Sequence, residues 1–214
     1  MTLIEQLNAV IIAIAKDISN NSGNSGSSDN SDISVLLPRK IGEKWYQSGL
    51  RHGTEYPYPY ATITSAASNG VQYFVPFTAL EDATITGLEI HCSTAQANAT
   101  VSLGIYASDS NNDVAEPLFT SSPISCATTG AKNAPCNVQI TKGKVYWLSS
   151  LCAGTATFYR TTPDTLFAIK GATKANQSAT IGYYTTNNTS MTQSAPTNKI
   201  DHIGSVPRVL FITG

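Results

Sequence analysis

A strict two-residue alternation between Ala99 and Ser108 is the feature that most constrains how this chain folds. Apolar residues occupy every second position, and the intervening positions are mostly polar or small: Ala99, Thr100, Val101, Ser102, Leu103, Gly104, Ile105, Tyr106, Ala107 and Ser108. Successive side chains of an extended strand point to opposite faces, so this pattern buries one face and leaves the other more polar. The sequence therefore predicts a half-buried β-strand that ends in the turn-forming run Asp109–Asp113.

Nine more segments have the length and composition of strands, and turn-forming residues separate them. No helical period follows residue 18. About ten short strands at regular spacing indicate an all-β protein, an antiparallel β-sandwich or jelly roll. The predicted segments are Val71–Phe77, Ala83–Cys92, Glu116–Thr120, Cys136–Thr141, Lys144–Cys152, Thr155–Arg160, Leu166–Lys170, Thr180–Tyr184 and Val206–Thr213.

Two of these segments carry additional information. Within Ala83–Cys92 the apolar parity changes between Ile85 and Leu88, with Gly87 at the change. An extra residue in one strand of a pair has this effect, so the sequence predicts a β-bulge at Gly87. The run Val145–Leu148 is apolar on both parities, and we therefore expect a central strand that is covered on both faces.

The N-terminus carries a different pattern, an apolar heptad repeat. The heptad pattern predicts a short helix, which would be only marginally stable alone in water and therefore needs partner helices. Isoleucine at both core positions of the heptad favours three or four helices over two. We therefore expect residues 1–18 to form a homotrimeric coiled-coil stem whose outer face is gripped by another protein. Its trimerisation residues recur at steps of three and four: Ile4, Leu7, Ile11, Ile14 and Ile18.

Two other interpretations compete for the same residues. One is a core helix of the following domain; the polar tract Ser19–Asp32, which contains no large apolar residue, argues against it by separating the helix from the body. The other is a secretory signal with Ala9–Ala15 as its apolar region. The preceding residues carry Glu5 and no Lys or Arg, where a signal needs positive charge.

The chain thus divides into three parts. Residues 1–18 form the attachment helix, residues 19–32 a flexible Gly/Ser/Asn/Asp linker, and residues 33–214 the β-rich head domain. Within the head, Lys44–Tyr60 is aromatic and rich in proline without periodicity. We expect this stretch to form an ordered loop on the body, with Trp45 as its buried anchor.

Composition excludes several classes of partner. Only 13% of the 214 residues are charged and the net charge is −1, so no basic surface indicates nucleic-acid binding or membrane association. The four cysteines show no Cys-x-x-Cys spacing of a zinc site. We expect them to be mostly reduced and buried. Cys126 and Cys136, ten residues apart across a predicted loop, are the one pair whose spacing allows a disulfide.

Several motifs, taken in order, resemble a known family. They are Tyr73–Phe77 (YFVPF), Leu103–Tyr106 (LGIY), the Gly130–Lys132 turn, Tyr146–Leu148 (YWL) and a closing VPRVLF, preceded by KWYQSGLRHGT. This set is similar to the jelly-roll domain at the C-terminal end of bacteriophage tail-fibre, head-fibre and other receptor-binding virion proteins. The resemblance spans about Lys44 to Phe211. Since the motifs consist of core and turn residues, it implies a fold and a general role but no binding site.

The sequence contains no catalytic constellation that we recognise. A nucleophile elbow is absent, and the acidic residues show no pair expected of a glycosidase. The run Asp109–Asp113 resembles the start of a calcium loop, but Val114 stands where glycine is needed, so a plain turn is the better interpretation. His52, His91 and His202 are isolated. We expect no enzyme activity, metal site or cofactor.

Saccharide binding needs aromatic faces beside hydroxyl and amide groups. The longest polar loop candidate, Thr185–Asn198, is rich in these groups and follows two tyrosines. We therefore predict a receptor site at the end of the body away from the stem, formed by Tyr183, Tyr184, Asn187 and Asn188, with Tyr159 and Arg160 in reserve.

The resemblance and the stem together imply a virion subunit, assembled in the cytoplasm of a bacterial host. The stem would contact other phage structural proteins, and the trimeric head would bind a host surface glycan or protein. Two alternatives remain open at this level: a structural decoration or collar protein that binds no receptor, and a secreted carbohydrate-binding module. Binding to isolated host polysaccharide separates the receptor-binding protein from the structural one.

Placing aspartate at both Ile11 and Ile14 tests the stem. These residues form adjacent core layers of the predicted trimer, and an unpaired buried carboxylate costs several kcal/mol. The double variant should lose association through the stem and fall out of assembled particles. Incorporation at normal copy number would show that the stem prediction is wrong.

Overall fold

The computed structural model describes residues 44–53, 62–162, 169 and 180–214. The predicted stem, the linker and the predicted strand Leu166–Lys170, apart from Ile169, lie outside these residues. The described part is all-β and contains no helix, so none is present there that is long and apolar enough to cross a membrane.

Fourteen strands form in the described residues, and the long strands β3, β4, β5 and β9 are rich in the β-branched and aromatic residues that favour extended backbone. Most of the long strands fall where the alternation predicts them, whereas the short strands β1, β2, β7 and β12 were not predicted. The strands are β1 Arg51–His52, β2 Thr62–Ala66, β3 Gln72–Thr78, β4 Ala83–Thr94, β5 Thr100–Ser108, β6 Val114–Thr120, β7 Ile124–Ser125, β8 Gly130–Ile140, β9 Val145–Ala153, β10 Thr157–Thr161, β11 Gly182–Thr185, β12 Ile200–His202, β13 Val206–Pro207 and β14 Leu210–Thr213.

These strands form two antiparallel sheets. Sheet A has the order β1-β14-β4-β10-β13, with β8 paired to β4 and β2 paired to β10. Sheet B has the order β12-β11-β3-β9-β5-β6, with β7 paired to β5. The Gly130–Lys132 segment, expected to be a turn, begins strand β8 instead.

The main hydrophobic core lies between the two sheets. It combines side chains of sheet A, such as Leu88 and Phe211, with side chains of sheet B, such as Leu103 and Leu148, each at most 1% exposed. A second apolar cluster, formed around Phe74, Trp147 and Tyr183, lies on the other face of sheet B. Sheet B is therefore covered on both faces, and it carries the site described below. The prediction of a half-buried strand at Ala99–Ser108 is wrong in this respect, because β5 is buried at every position from Val101 to Tyr106.

Strand β9 confirms the prediction of a central, doubly covered strand. Its neighbours are β3 and β5. Tyr146 and Leu148 face the core between the sheets, while Trp147 joins the outer cluster. An apolar residue at every position is stable here because neither face meets water.

The register of β4 shifts at the predicted position. Its pairing with β8 shifts between Ile85 and Gly87, as expected for a bulge. The shift brings Ile85 into the same core as Leu88 and Ile90, although they differ in parity. The bulge thus explains the parity change, because it keeps apolar residues of both parities on one continuous face.

Tyr46, rather than Trp45, anchors the segment that enters the body. Tyr46 is buried and Trp45 is only partly so. The Glu81 carboxylate accepts hydrogen bonds from the amides of Trp45 and Tyr46 at 3.0 and 2.7 Å. The Tyr46 hydroxyl accepts one from the amide of Leu80 at 3.0 Å. A phenol can bury its ring and still accept a hydrogen bond from a backbone amide, which explains why Tyr46 rather than Trp45 is the buried anchor.

All four cysteines are free thiols, and Cys126 and Cys136 are not bridged. Cys92, Cys126 and Cys152 are buried, and Cys136 is partly buried. Burial raises the pKa of Cys126 to about 12 and that of Cys152 to about 11. The thiols therefore behave as small apolar core groups, as the sequence predicted.

Replacing Gly182 by alanine tests the contact between β11 and β3. A Cβ at Gly182 would lie 2.5 Å from the carbonyl oxygen of Phe74, so the strand backbones would have to separate. We expect a loss of about 1–3 kcal/mol in the free energy of unfolding. Gly87→Ala is the matched control, because its nearest contact would be an ordinary 3.6 Å. Equal thermal stability of the two variants would contradict this packing.

Candidate functional site

The residues between β11 and β12, called here the 186–199 loop, lie across the outer face of sheet B. Their attachment depends on Gln72, which is fully buried. The Gln72 side-chain oxygen accepts hydrogen bonds from the amide and hydroxyl of Thr192, both at 3.0 Å. Its amide nitrogen donates to the hydroxyls of Tyr106 and Ser149 at 2.9 and 3.0 Å. One side chain therefore joins the loop to two central strands.

Tyr106 completes this network. Its hydroxyl donates to the carbonyl of Thr192 at 2.6 Å. Burial raises the pKa of Tyr106 to about 12, so the phenol stays protonated and able to donate at neutral pH. A buried polar group without a partner is costly, and here both Gln72 and Tyr106 are satisfied by the loop.

A second attachment lies at the start of the loop. The Gly70 carbonyl accepts hydrogen bonds from the backbone and side-chain nitrogens of Asn188, at 2.9 and 3.1 Å. Gly70 has a φ of 71°, and a Cβ there would lie 3.2 Å from the Asn188 carbonyl oxygen. The Asn188 amide also donates to the Thr185 hydroxyl at 3.0 Å. Asn188 thus holds the loop in place as well as facing the cleft.

The loop and the start of β12 enclose an open cleft of about 510 Å³. This volume falls within the range of small-molecule sites in proteins. Most of its lining groups are hydroxyls and amides, with an apolar contribution from proline. The lining residues are Thr185, Thr186, Asn187, Asn188, Thr192, Pro196, Thr197, Asn198, Lys199 and Ile200.

One charged side chain lines this cleft. Lys199 Nζ lies 2.7 Å from a carboxylate oxygen of Asp113 and 5.2 Å from the ring centre of Tyr183. Tyr183 in turn stacks on Trp147 with ring centres 5.3 Å apart. The lysine is therefore held between a carboxylate and an aromatic face rather than extended into solvent.

The six residues predicted for the receptor site do not lie together. Asn187 and Asn188 line the cleft. Tyr183 lies beneath Lys199 and is buried. Tyr184 points to the opposite face of β11, toward Tyr73, and is not among the cleft's lining residues. The predicted combination of Tyr184 with these two amides in one site is therefore not present.

Tyr184 contributes to packing at the open side between the sheets. Its ring lies 6.3 Å from that of Tyr73 and 5.6 Å, edge to face, from His202. His202 Nε2 lies 3.0 Å from the Ser205 carbonyl oxygen. Burial lowers the pKa of His202, so the ring is neutral at pH 7 and donates from Nε2.

Tyr159 and Arg160, the reserve residues, lie on sheet A. Arg160 is 5% exposed, donates to the hydroxyl and carbonyl of Ser205, and lies 5.1 Å above the ring of Tyr73. It closes the gap between the sheets and has no surface for a receptor. Tyr159 is 38% exposed and contacts His91 edge to face at 5.1 Å. This pair lies on the sheet opposite the cleft.

Of the ten lining residues, only Lys199 and Ile200 lie outside the predicted polar loop Thr185–Asn198, within which the prediction singled out Asn187 and Asn188. The polar composition of the loop was the available signal for the other eight. No sequence signal identified Lys199 and Ile200. Lys199 is positioned by its contact with Asp113, and Ile200 by the turn into β12. Ile200 is 45% exposed and lines the cleft at the start of β12, where it pairs with Tyr184.

The cleft and the entering segment attach at opposite ends of β3. The 186–199 loop is bound to Gly70, just before the strand, and Tyr46 is bound to Leu80, just after it. Strand β3 has seven residues, and about 3.3 Å per residue separates these ends by roughly 23 Å. The loop attachment at Gly70 thus lies at the end of β3 away from Leu80, whereas Lys199 of the cleft reaches Asp113 in the turn between β5 and β6.

The Asp109–Asp113 run forms a turn that its own hydrogen bonds stabilise. One carboxylate oxygen of Asp109 accepts the amides of Asn111 and Asp113 at 2.8 and 2.9 Å. These bonds lower the pKa of Asp109. Among the described residues, no group of three or more His, Cys, Asp or Glu is placed to hold a metal ion.

Comparison with known proteins leaves the family open, since no protein-family model and no curated protein matches this chain.

Tyr106→Phe tests the attachment of the loop. The substitution removes the hydroxyl between Gln72 and Thr192, and should cost about 1–3 kcal/mol in unfolding free energy. Hydrogen exchange of amides in the 186–199 loop should accelerate. Tyr146→Phe is the matched control, because its hydroxyl accepts the Thr141 amide at 2.9 Å, away from the loop. If both variants accelerate loop exchange equally, the network does not hold the loop.

Proposed function

We propose that this chain is a subunit of a bacteriophage fibre or spike that binds a glycan of the host surface without catalysis or cofactor. In this proposal residues 1–18 form a trimeric coiled-coil helix that docks on other virion proteins. The body is a jelly-roll head. The two sheets that share one core support the assignment of a jelly-roll head. The ordered motifs between Lys44 and Phe211 support the resemblance to the phage family.

The observation that carries the proposal is the cleft beside the 186–199 loop. Hydroxyl and amide groups hydrogen-bond sugar hydroxyls in either direction, because they both donate and accept. Pro196 offers apolar contact for sugar C–H groups. A cleft with these components suits a saccharide better than it suits a large apolar ligand.

The openness of the cleft supports its role, because a glycan can reach hydroxyl and amide groups on the outer face of sheet B. An open, polar cleft suits weak binding. Three heads on each fibre and many fibres on each particle would raise the effective concentration, so that weak sites give firm adhesion.

Asn187→Gly combined with Asn198→Ala tests this function. Asn187 has a φ of 60°, which glycine adopts without strain, so the variant loses two lining amides but keeps the backbone. We expect a loss of adsorption to bacterial cells of at least tenfold, with an unchanged melting temperature. Adsorption is measured with labelled protein across a panel of bacterial strains.

Asn98→Gly is the control for this experiment. Asn98 is exposed, has a φ of 63° and does not line the cleft. It should adsorb like the unmodified protein. Adsorption that persists in the double variant would place the receptor site elsewhere. If the protein is present in virions but binds no bacterial strain of the panel, the result would favour the alternative of a structural decoration or collar protein.

A further inference from the structure

We infer that the cleft selects neutral saccharides and rejects anionic ones such as uronate-containing or phosphorylated polysaccharides. This inference rests on the proposed function, since it names the class of glycan bound at the same site. Its basis is the balance of charge around Lys199, which is the one charged residue among those that line the cleft.

The charge of Lys199 is already compensated. Its Nζ lies 2.7 Å from Asp113, and the lysine side chain is only 19% exposed. A carboxylate or phosphate on a ligand would have to compete with Asp113 for this ammonium group. The competition costs an existing ion pair and gains a similar one, so it offers no net advantage to an anion.

Further carboxylates surround the same region. Asp109 lies near enough to Lys199 for the lysine charge to help lower the pKa of Asp109, after the larger effect of two backbone hydrogen bonds. Glu116 accepts the amide of Ala195, in the 186–199 loop, at 3.4 Å. Asp201 directly follows Ile200 on β12. Of these four groups, Asp113 and Asp109 act directly on the Lys199 charge, so one cation faces two carboxylates among the described residues.

This arrangement discriminates by repulsion rather than by attraction. An anionic sugar would approach a cleft whose surroundings carry excess negative charge, which lowers both its affinity and its rate of association. A neutral sugar meets no such barrier and still finds hydroxyl and amide partners. Its binding should also depend little on ionic strength, because no charge on the ligand is screened.

An array of bacterial surface polysaccharides, with hyaluronan in native and carboxyl-reduced form, tests the inference. The unmodified protein should bind neutral glycans, with an affinity that changes less than twofold between low and physiological salt. Asn187→Gly/Asn198→Ala should abolish that binding. Binding through the cleft to anionic glycans alone would overturn the inference and leave the proposed function intact.

Asp113→Asn provides the second arm. Asparagine keeps the side-chain oxygen that accepts the Val114 amide at 2.7 Å, but removes the partner charge of Lys199. The ratio of the affinity for anionic glycans to the affinity for neutral ones should rise by about fivefold. An unchanged preference in this variant would overturn the inference. Absence of binding to every glycan on the array would instead overturn the proposed function, and the inference with it.

Discussion

A single buried amide, that of Gln72, is the interaction on which the site depends. Its position on a central strand between two covered faces removes it from water, where an unpaired amide is costly. Tyr106 and Ser149 satisfy its nitrogen, and Thr192 satisfies its oxygen. Strands far apart in sequence are thus joined to a loop that contains no strand of its own. The cleft exists because this network keeps the loop on the sheet.

The two sheets have different tasks. Sheet B is covered on both faces, by the common core on one side and by the outer cluster with Trp147 and Tyr183 on the other. That double burial makes it a rigid support for a polar loop, which is the usual way in which recognition is combined with stability. Sheet A shares the core through Leu88 and Phe211, and its strand β10 closes the open side through Arg160.

The low charge of the chain has a counterpart in the cleft. With 13% charged residues, the protein relies on Ser, Thr, Asn and Gln for solubility and for hydrogen bonding. The cleft repeats this composition, and the charge of Lys199 is matched by Asp113. Recognition by neutral groups gives modest affinity at each site, because each hydrogen bond formed replaces one to water. Under the proposed function, such a site would act through many copies.

The sequence by itself determined the all-β class, the doubly covered strand β9 and the bulge at Gly87, because strand periodicity is local and each face has one parity. It also located the polar loop. Only the tertiary structure decided which face of β11 carries the cleft, and so separated Tyr184 from its neighbours Asn187 and Asn188. The contacts that build the site join residues far apart, such as Asn188 with Gly70, 118 positions away, and Lys199 with Asp113. Local pattern contains no information on such pairs, since sheet order and loop packing bring them together.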